Sequence, residues 1–376
     1  MIPKSSVAFD AGAPMEVAGY LGMAVGVGES ARLCADALAA AGRPMSLRDV
    51  STEAGGASVE WVPPAVSPVA PGSRIWHLNP PMLPRAVFKT GIRSFTRAFN
   101  IGYWAWELEV VPPEWRNGMR YMNAVFVPSQ FTKRAIAPFT SAPVIVVPHP
   151  VSEKPAAPGM RRKFGIEEDA FLVSFIFSAG SSINRKNPQA VIEAFSIFSA
   201  ECPDAFLLMK ANGNPEKDEG LRRLIDMVKG HSRIKIITDN LPSSEINGII
   251  RESDAYLSLH RSEGFGLTVA EAIIQRTPVI STGWSGTVDF CDPDNSWTVA
   301  APLVPVVDTH PEFAGLKDAV WADPSPAEAA SCLRSIYLQP ERAAERAERA
   351  RDYLMRYLAD NTYEKAFTTL AGAKAA

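Results

Sequence analysis

Short apolar segments separated by stretches of helical spacing run through most of the chain. In the first half, Ser73 to Leu78, Phe99 to Trp104, Ala124 to Val127 and Val144 to Val147 read as buried strands. Among the helices between them, one opens near Glu29, sets Cys34, Leu38 and Ala41 on one face and stops at Gly42, where a left-handed residue closes it. Strand and helix in alternation predict a parallel, doubly wound sheet.

The pattern lapses after Val147, where PHPVSEKPAAPGM carries four prolines and little apolar periodicity and predicts an interdomain linker, with the boundary at Ser152. It then restarts. Phe171 to Phe177, Ala205 to Met209, Ile234 to Ile237, Ala255 to Leu259 and Pro278 to Ser281 read as strands, with helices at Pro188 to Phe198 and from about Leu267. In the first of these helices Val191, Ala194, Phe195 and Phe198 fall on one face, as packing on a sheet requires. Residues 324 to 372 read as two or three helices that begin at Ser325, and the charged run ERAAERAERARDYL is a solvated face.

Length and composition sharpen this picture. A chain of 376 residues suits two domains. With 47% hydrophobic and 21% charged residues, it can build a globular core in each. A net charge of −3 gives no overall field to recruit nucleic acid, so a phosphate ligand must be held locally. Cys34, Cys202, Cys291 and Cys332 are far apart and lack metal-ligand spacing, which predicts reduced thiols and no metal site. The first residues lack a leader-like apolar run, and no window approaches the ~20 apolar residues of a membrane span. The expectation is a cytoplasmic protein, at most peripheral at the inner face of the membrane. His149, in VPHPV, could approach a cleft between the domains, although a linker histidine is more often simply exposed.

Two windows carry candidate chemistry. HRSEGFGLTVAEA, from His260 to Ala272, follows a strand and opens a helix, so free backbone N–H groups and a helix dipole point at whatever lies at the sheet's carboxyl edge. Gly264 and Gly266 allow the backbone close to a ligand, and the carboxylates of Glu263 and Glu271 can accept from sugar and ribose hydroxyls. FSAGSSINRKNP, from Phe177 to Pro188, repeats the strand-to-helix context and sets Arg185 and Lys186 just before the helix. Cations are unfavourable at a helix start unless an anion joins them, so the placement points to phosphate.

These residues resemble the retaining glycosyltransferases of family 4, and NIGYWAWELEVVPPEW and VFVPSQFTKRAI resemble segments of a bacterial subgroup within it. SEGFGLTVAEA is similar to the family's motif of two glutamates, which gives Glu263 contact with the donor sugar and Glu271 contact with the ribose. The likeness assigns Gly264, Phe265, Gly266 and Leu267 to the donor through their backbone. RKNPQAVIEAF resembles the stretch whose lysine neutralises the donor diphosphate, a role that falls on Lys186 with Arg185 beside it. The turn TDNLPS is similar to the region that holds the nucleotide base by its main chain, here Asn240 and Leu241 next to Asp239. In the first half, GMAVGVGESAR resembles the glycine-rich loop facing the donor phosphates, through Gly26, Val27 and Gly28. NIGYWAWELEVVPPEW stands where the family commonly has a histidine at a strand tip. Tyr103, Trp104 and Glu107 are the candidates for its acceptor or sugar contacts, and Trp104 with Trp106 could form a stacking platform or be packed inside.

The resemblance implies the GT-B fold: two Rossmann-like doubly wound parallel-sheet domains facing a cleft, followed by carboxy-terminal helices. Residues 1–152 would form the acceptor domain, 153–360 the donor domain, and 361–376 a helix crossing back to the first. It also implies metal-independent, retaining transfer of a hexose such as mannose from a nucleotide-diphosphate sugar. The acceptor would be a glycan or lipid-linked oligosaccharide, in surface polysaccharide synthesis, with no cofactor beyond the co-substrate. One rival is an NAD(P)-dependent oxidoreductase, because Gly26, Gly28 and Ala31 match G-x-G-x-x-A and Asp49 stands about 20 residues on. The others are a non-catalytic nucleotide-sugar-binding protein and an epimerase of the same fold.

Overall fold

A computed structural model describes residues 2–51, 59, 61–67 and 70–372. The chain divides into two units, Met1–Pro150 joined by Leu358–Ala376, and Val151–Tyr357. The expected boundary was 152, and the return was expected from 361 to 376, of which 373–376 lie outside the described residues.

The first unit is built on a parallel sheet of β1 (Met15–Gly19), β2 (Met45–Asp49), β3 (Ser73–His77), β4 (Phe99–Tyr103), β5 (Ala124–Val127) and β6 (Val144–Val146). The strands stand in the order β2-β1-β3-β4-β5-β6. β1 and β2 are absent from the sequence expectation, because charges interrupt their apolar runs: Glu16 lies inside β1 and Arg48 inside β2. The sheet absorbs these charges. Parallel pairing sets Glu16 opposite Arg74 of β3, and the buried carboxylate is bound by Arg74 and by Arg48, the latter at 2.8 Å. AGYLGMAV, an indifferent strand by its letters, is the end of β1 plus the loop that follows it.

The helix Gly26–Ala40 places Ala31, Cys34, Ala35 and Leu38 in the first unit's core, and Gly42 takes φ +69° beyond its end. The last helix, Tyr363–Gly372, packs into the same core: Phe367 lies 5.8 Å from Phe9 and 6.1 Å from Phe126, and Glu364 pairs with Arg43 at 2.5 Å. The helices Pro326–Leu338 and Pro340–Asp360 precede it, the first capped by Ser325.

The second unit repeats the plan with β7 (Phe171–Ser178), β8 (Ala205–Asn212), β9 (Ile234–Ile237), β10 (Ala255–Ser258), β11 (Val279–Thr282) and β12 (Trp297–Val299). Their order is β12-β11-β10-β7-β8-β9, all parallel, and an antiparallel pair, β13 (Leu303–Pro305) and β14 (Val320–Ala322), is added. The helix Pro188–Ser199 buries Val191, Ala194, Phe195 and Phe198 as its spacing predicts. The proline-rich stretch after Val151 is bound to this unit: Ala157 N–H donates to Ser244 O at 2.8 Å, and Gln275 donates to Lys154 O at 3.2 Å.

In each sheet the chain runs outward from one strand and then returns to its other side. The switch falls between β1 and β3 in the first sheet and between β7 and β10 in the second. Loops leaving the carboxyl ends of such a pair diverge to opposite faces and leave a crevice between them, the usual ligand position in open α/β sheets. Among the described residues, no helix is long and apolar enough to cross a membrane.

Candidate active site

Both sequence windows leave the strands that flank the second unit's switch. The turn after β7 runs through two short helical segments, Ala179–Ser181 and Ile183–Lys186, with Ser182 at φ +69° and Asn187 at φ +54° on either side of the second. Non-glycine residues held in such sparsely populated backbone regions cost about 1–3 kcal/mol each, so the surroundings must hold them. Asn187 donates to Leu259 O at 3.0 Å, which ties this turn to the end of β10. The Ser182 hydroxyl accepts from Arg185 N–H at 3.0 Å. Arg185 then joins the two turns. Its guanidinium donates to Ser262 O at 2.8 Å and Ser181 O at 3.0 Å, and its own carbonyl accepts from Arg261 N–H at 2.7 Å.

Glu263 is seated by a third loop, the one leaving β11. Its N–H donates to Ser285 Oγ at 2.9 Å and its carbonyl accepts from Gly286 N–H at 2.8 Å. Position 286 lies against the Gly264 carbonyl, where a Cβ would overlap it. Gly266 stands at φ +93° and starts the helix Leu267–Ile274, and a Cβ there would lie 2.5 Å from Thr287 Cγ2. A glycine is therefore required twice over, by conformation and by space. Phe265 is buried with its ring 5.0 Å from Phe290, so the turn is anchored from below while its amides begin the helix.

This framework brings Arg185, Lys186 and Glu263 together. Lys186 Nζ donates to Glu263 Oε1, and Arg185 Nη1 lies 3.1 Å from Oε2. Burial on its own would raise the Glu263 carboxyl; the charges of Lys186 and Arg185, with His260 and the Lys186 hydrogen bond, outweigh it and hold the group at about 2. His260 is fully buried, with Nδ1 3.2 Å from Ser258 Oγ and Nε2 3.3 Å from Thr287 Oγ1. Burial above all drives its pKa down to about 4, so the ring is neutral at neutral pH. Two cations thus share one carboxylate beside a helix N-terminus, an arrangement with spare positive charge that favours an anion. The cations are not equivalent. The Arg185 side chain is 2% exposed and committed to protein acceptors, whereas that of Lys186 is 18% exposed. Arg185 thus reaches a ligand through its field, and Lys186 can do so by contact.

The remaining candidates are dispersed. Glu271 is half-buried in the second turn of the helix Leu267–Ile274. Leu267 is half-buried at the start of that helix. Asn240 is exposed in the turn after β9, and Leu241 packs its side chain on the cluster around Met160 and Phe164, which leaves its main chain for other partners. Gly26, Val27 and Gly28 belong to the first unit and form the opening turn of the helix Gly26–Ala40. That placement departs from the dinucleotide fingerprint, whose first glycine makes the tight turn directly after the strand. Here residues 20–25 make the turn, and Arg32 fills it by donating to the Leu21 and Met23 carbonyls at 2.9 Å each.

In the first unit the structure decides one open reading, for packing and against a sugar-stacking platform, and corrects another. Trp104 is fully buried, with its ring so close to Gly102 that a Cβ there would lie 2.6 Å away, and Trp106 is buried against Trp115 at 4.7 Å. Neither presents a face for sugar stacking. His149 is not an exposed linker residue but 4% exposed, with Nδ1 3.1 Å from Tyr103 Oη. Tyr103, which also donates to Val147 O at 2.7 Å, stacks on His77 at 4.6 Å. Burial lowers both histidines, His149 to about 4 and His77 well below the usual range. Glu107 is half-buried beyond β4.

Sequence reading missed His77, which ends β3 at the first switch and accepts or donates at 2.8 Å with Ser30 of the glycine-rich helix. A lone histidine inside an apolar strand gives no periodic signal. It also missed Ser285 and Gly286, although TGWSG directly after a strand is itself a loop signal at the same sheet edge. Among the described residues, no group of three or more His, Cys, Asp or Glu side chains is placed to hold a metal ion.

Residues 160–301 match the family described as Glycosyl transferases group 1. Solved structures similar to this chain include Anabaena HepE in complex with UDP and glucose, at 14% identity and TM-score 0.63, covering 96% of this chain and 98% of that one. A sucrose-phosphate synthase from Thermosynechococcus elongatus is similar at 14% identity and TM-score 0.65, with the same two coverages of 96% and 98%. A third is the pneumococcal O-GlcNAc transferase GtfA in complex with UDP and GlcNAc, at 17% identity and TM-score 0.54, covering 80% of this chain. This chain spans only 56% of that protein's length. At these identities the likeness is one of fold. No curated protein matches the sequence.

Proposed function

From the premise that the chain has the two-domain GT-B fold and carries a group 1 glycosyl transferase domain in residues 160–301, we propose that it transfers a hexose from a nucleotide-diphosphate sugar. One observation carries this reading: Lys186 and Arg185 converge on Glu263 at the sheet's switch point, beside the amides that open the helix Leu267–Ile274. In that role Lys186 binds the diphosphate and stabilises the charge that develops as it leaves, and the Arg185 field and helix N-terminus add to it. Glu263 accepts from the donor sugar and Glu271 from the ribose. The cations do the work that a divalent ion does elsewhere, so transfer is metal-independent. It proceeds with retention, onto a glycan or lipid-linked oligosaccharide, and serves surface polysaccharide synthesis at the inner face of the membrane. Mannose is the first sugar to test.

The test is binding and turnover with a panel of UDP- and GDP-sugars. Lys186→Ala should lower kcat/KM about 100- to 1000-fold, as loss of one oriented charge at a transition state does. Glu271→Ala should weaken donor binding about tenfold or more while sparing kcat at saturation. Parental turnover in Lys186→Ala would sink the assignment. Stabilisation of the parent by NAD, with none by nucleotide sugars, would favour the oxidoreductase instead.

A further inference from the structure

The segment between β13 and β14 leaves this antiparallel pair and returns to it, and on the way it takes hold of the turn that carries the two cations. Val306 N–H donates to Ala319 O at 2.9 Å and closes the base of this excursion, and Phe313 is buried at 3% exposure. Asp308 accepts on one oxygen from His310 N–H at 2.8 Å, within its own loop, and on the other from the Ser182 hydroxyl. Two residues on, His310 Nε2 lies 3.2 Å from Gly180 O. With the proton on Nε2 the ring donates to that carbonyl, and Nδ1 accepts from Glu312 N–H at 3.4 Å. The excursion is thus fastened to both sides of the 180–182 turn.

Ser182 is the residue at φ +69° that opens the segment Ile183–Lys186. Its hydroxyl has one proton and two lone pairs; the proton goes to Asp308, and a lone pair accepts from Arg185 N–H at 3.0 Å. The Asp308 carboxylate therefore fixes the direction of the hydroxyl that caps the cationic segment, and with it the aim of Lys186 four residues later. We propose that Asp308, assisted by His310, is a positioning residue that holds Lys186 and Arg185 where a diphosphate binds. This rests on the diphosphate reading of the Lys186–Glu263 centre and adds to it a part of the chain remote in sequence.

Affinity for UDP against UMP, and for GDP against GMP, measured by calorimetry on the full chain, tests the assignment. Asp308→Ala should lose about tenfold for the diphosphate that binds and less than about twofold for its monophosphate, because the β-phosphate depends most on the aim of Lys186. Asp308→Asn keeps an acceptor oxygen for Ser182 and should stay within about threefold of the parent. His310→Ala should lose about threefold on the diphosphate alone, and Glu312→Ala, in the same loop, should lose nothing. Unchanged diphosphate affinity in Asp308→Ala would overturn the proposal. Equal losses for mono- and diphosphate would do so as well, since they would mark a general loss of structure. If Asp308→Ala does not fold, a parental diphosphate affinity in His310→Ala overturns it. A parent that binds no nucleoside diphosphate at all, and whose Lys186→Ala variant is no different, refutes the reading of the centre itself and this proposal with it.

Discussion

Glu16 in the first unit and Glu263 in the second are each a carboxylate shared by two cations, and the two triads do different things. Glu16 lies near the start of β1 between Arg74 and Arg48, with its side chain 5% exposed and that of Arg74 fully buried. Its carboxyl is lowered even though burial, the largest influence, works to raise it, because both arginines oppose that influence. Glu263 lies beyond the carboxyl ends of β7 and β10, 13% exposed, with Lys186 18% exposed. Composition and net charge are alike. What differs is the end of the sheet: at the amino ends Glu16 and Arg74 are sealed inside and only Arg48, its side chain 38% exposed, lies at the surface, whereas at the carboxyl ends the connections part and leave room for a ligand beside the carboxylate itself. A buried charge cluster thus marks a site only when the topology leaves it open.

Removing each carboxylate sharpens this contrast. Glu16→Ala should cost the most stability, about 3–5 kcal/mol by urea unfolding, because it leaves the fully buried Arg74 uncompensated. Added pyrophosphate should not recover it. Glu263→Ala should cost less, about 1–3 kcal/mol, since buried Arg185 keeps the Ser181 and Ser262 carbonyls as acceptors and Lys186 can turn to water, and pyrophosphate should raise its Tm more than the parent's by occupying the vacated place. If pyrophosphate stabilised neither variant, or both equally, the distinction between a sealed and an open carboxylate would fail.

A pH dependence should follow from the buried histidines of both units. His77, His149 and His260 are buried and depressed, the last two to about 4 from the usual 6.5. Between pH 6.5 and about 4 the unfolded chain binds protons that the folded chain refuses, so stability should fall as pH drops through this range. The slope is about 1.4 kcal/mol per pH unit for each such histidine. His260→Gln should remove one share, read from unfolding at stepped pH. The Glu263 contribution lies in a lower window, complete above its ordinary 4.5 and lost as pH falls through about 2. An unchanged slope in His260→Gln between pH 6.5 and 4 would show that this ring titrates freely.

Much of the second unit was legible in the letters, and less of the first. Glu263, Gly264 and Gly266 sit in one window of strand, turn and helix, so their neighbourhood follows from local spacing. Lys186 reads the same way, from a cation set against a helix start. By contrast, β1 was hidden because Glu16 breaks its apolar run, and the charge becomes tolerable only when Arg74 and Arg48 arrive from other strands. Trp104 reads equally as a stacking platform or as core, and only the approach of Gly102 decides for core.

The sequence by itself determined the alternation of strands and helices, and hence two parallel sheets, because amphipathic period and turn chemistry act over a few residues. It also determined which turns carry cations and carboxylates. The tertiary structure decided that residues 77 apart in the chain, Lys186 and Glu263, share a hydrogen bond, and that Asp308 reaches back to Ser182 across 126 residues. Strand order made those choices. Which strand lies beside which depends on long-range burial and pairing summed over the whole sheet, and no local window of sequence contains that sum.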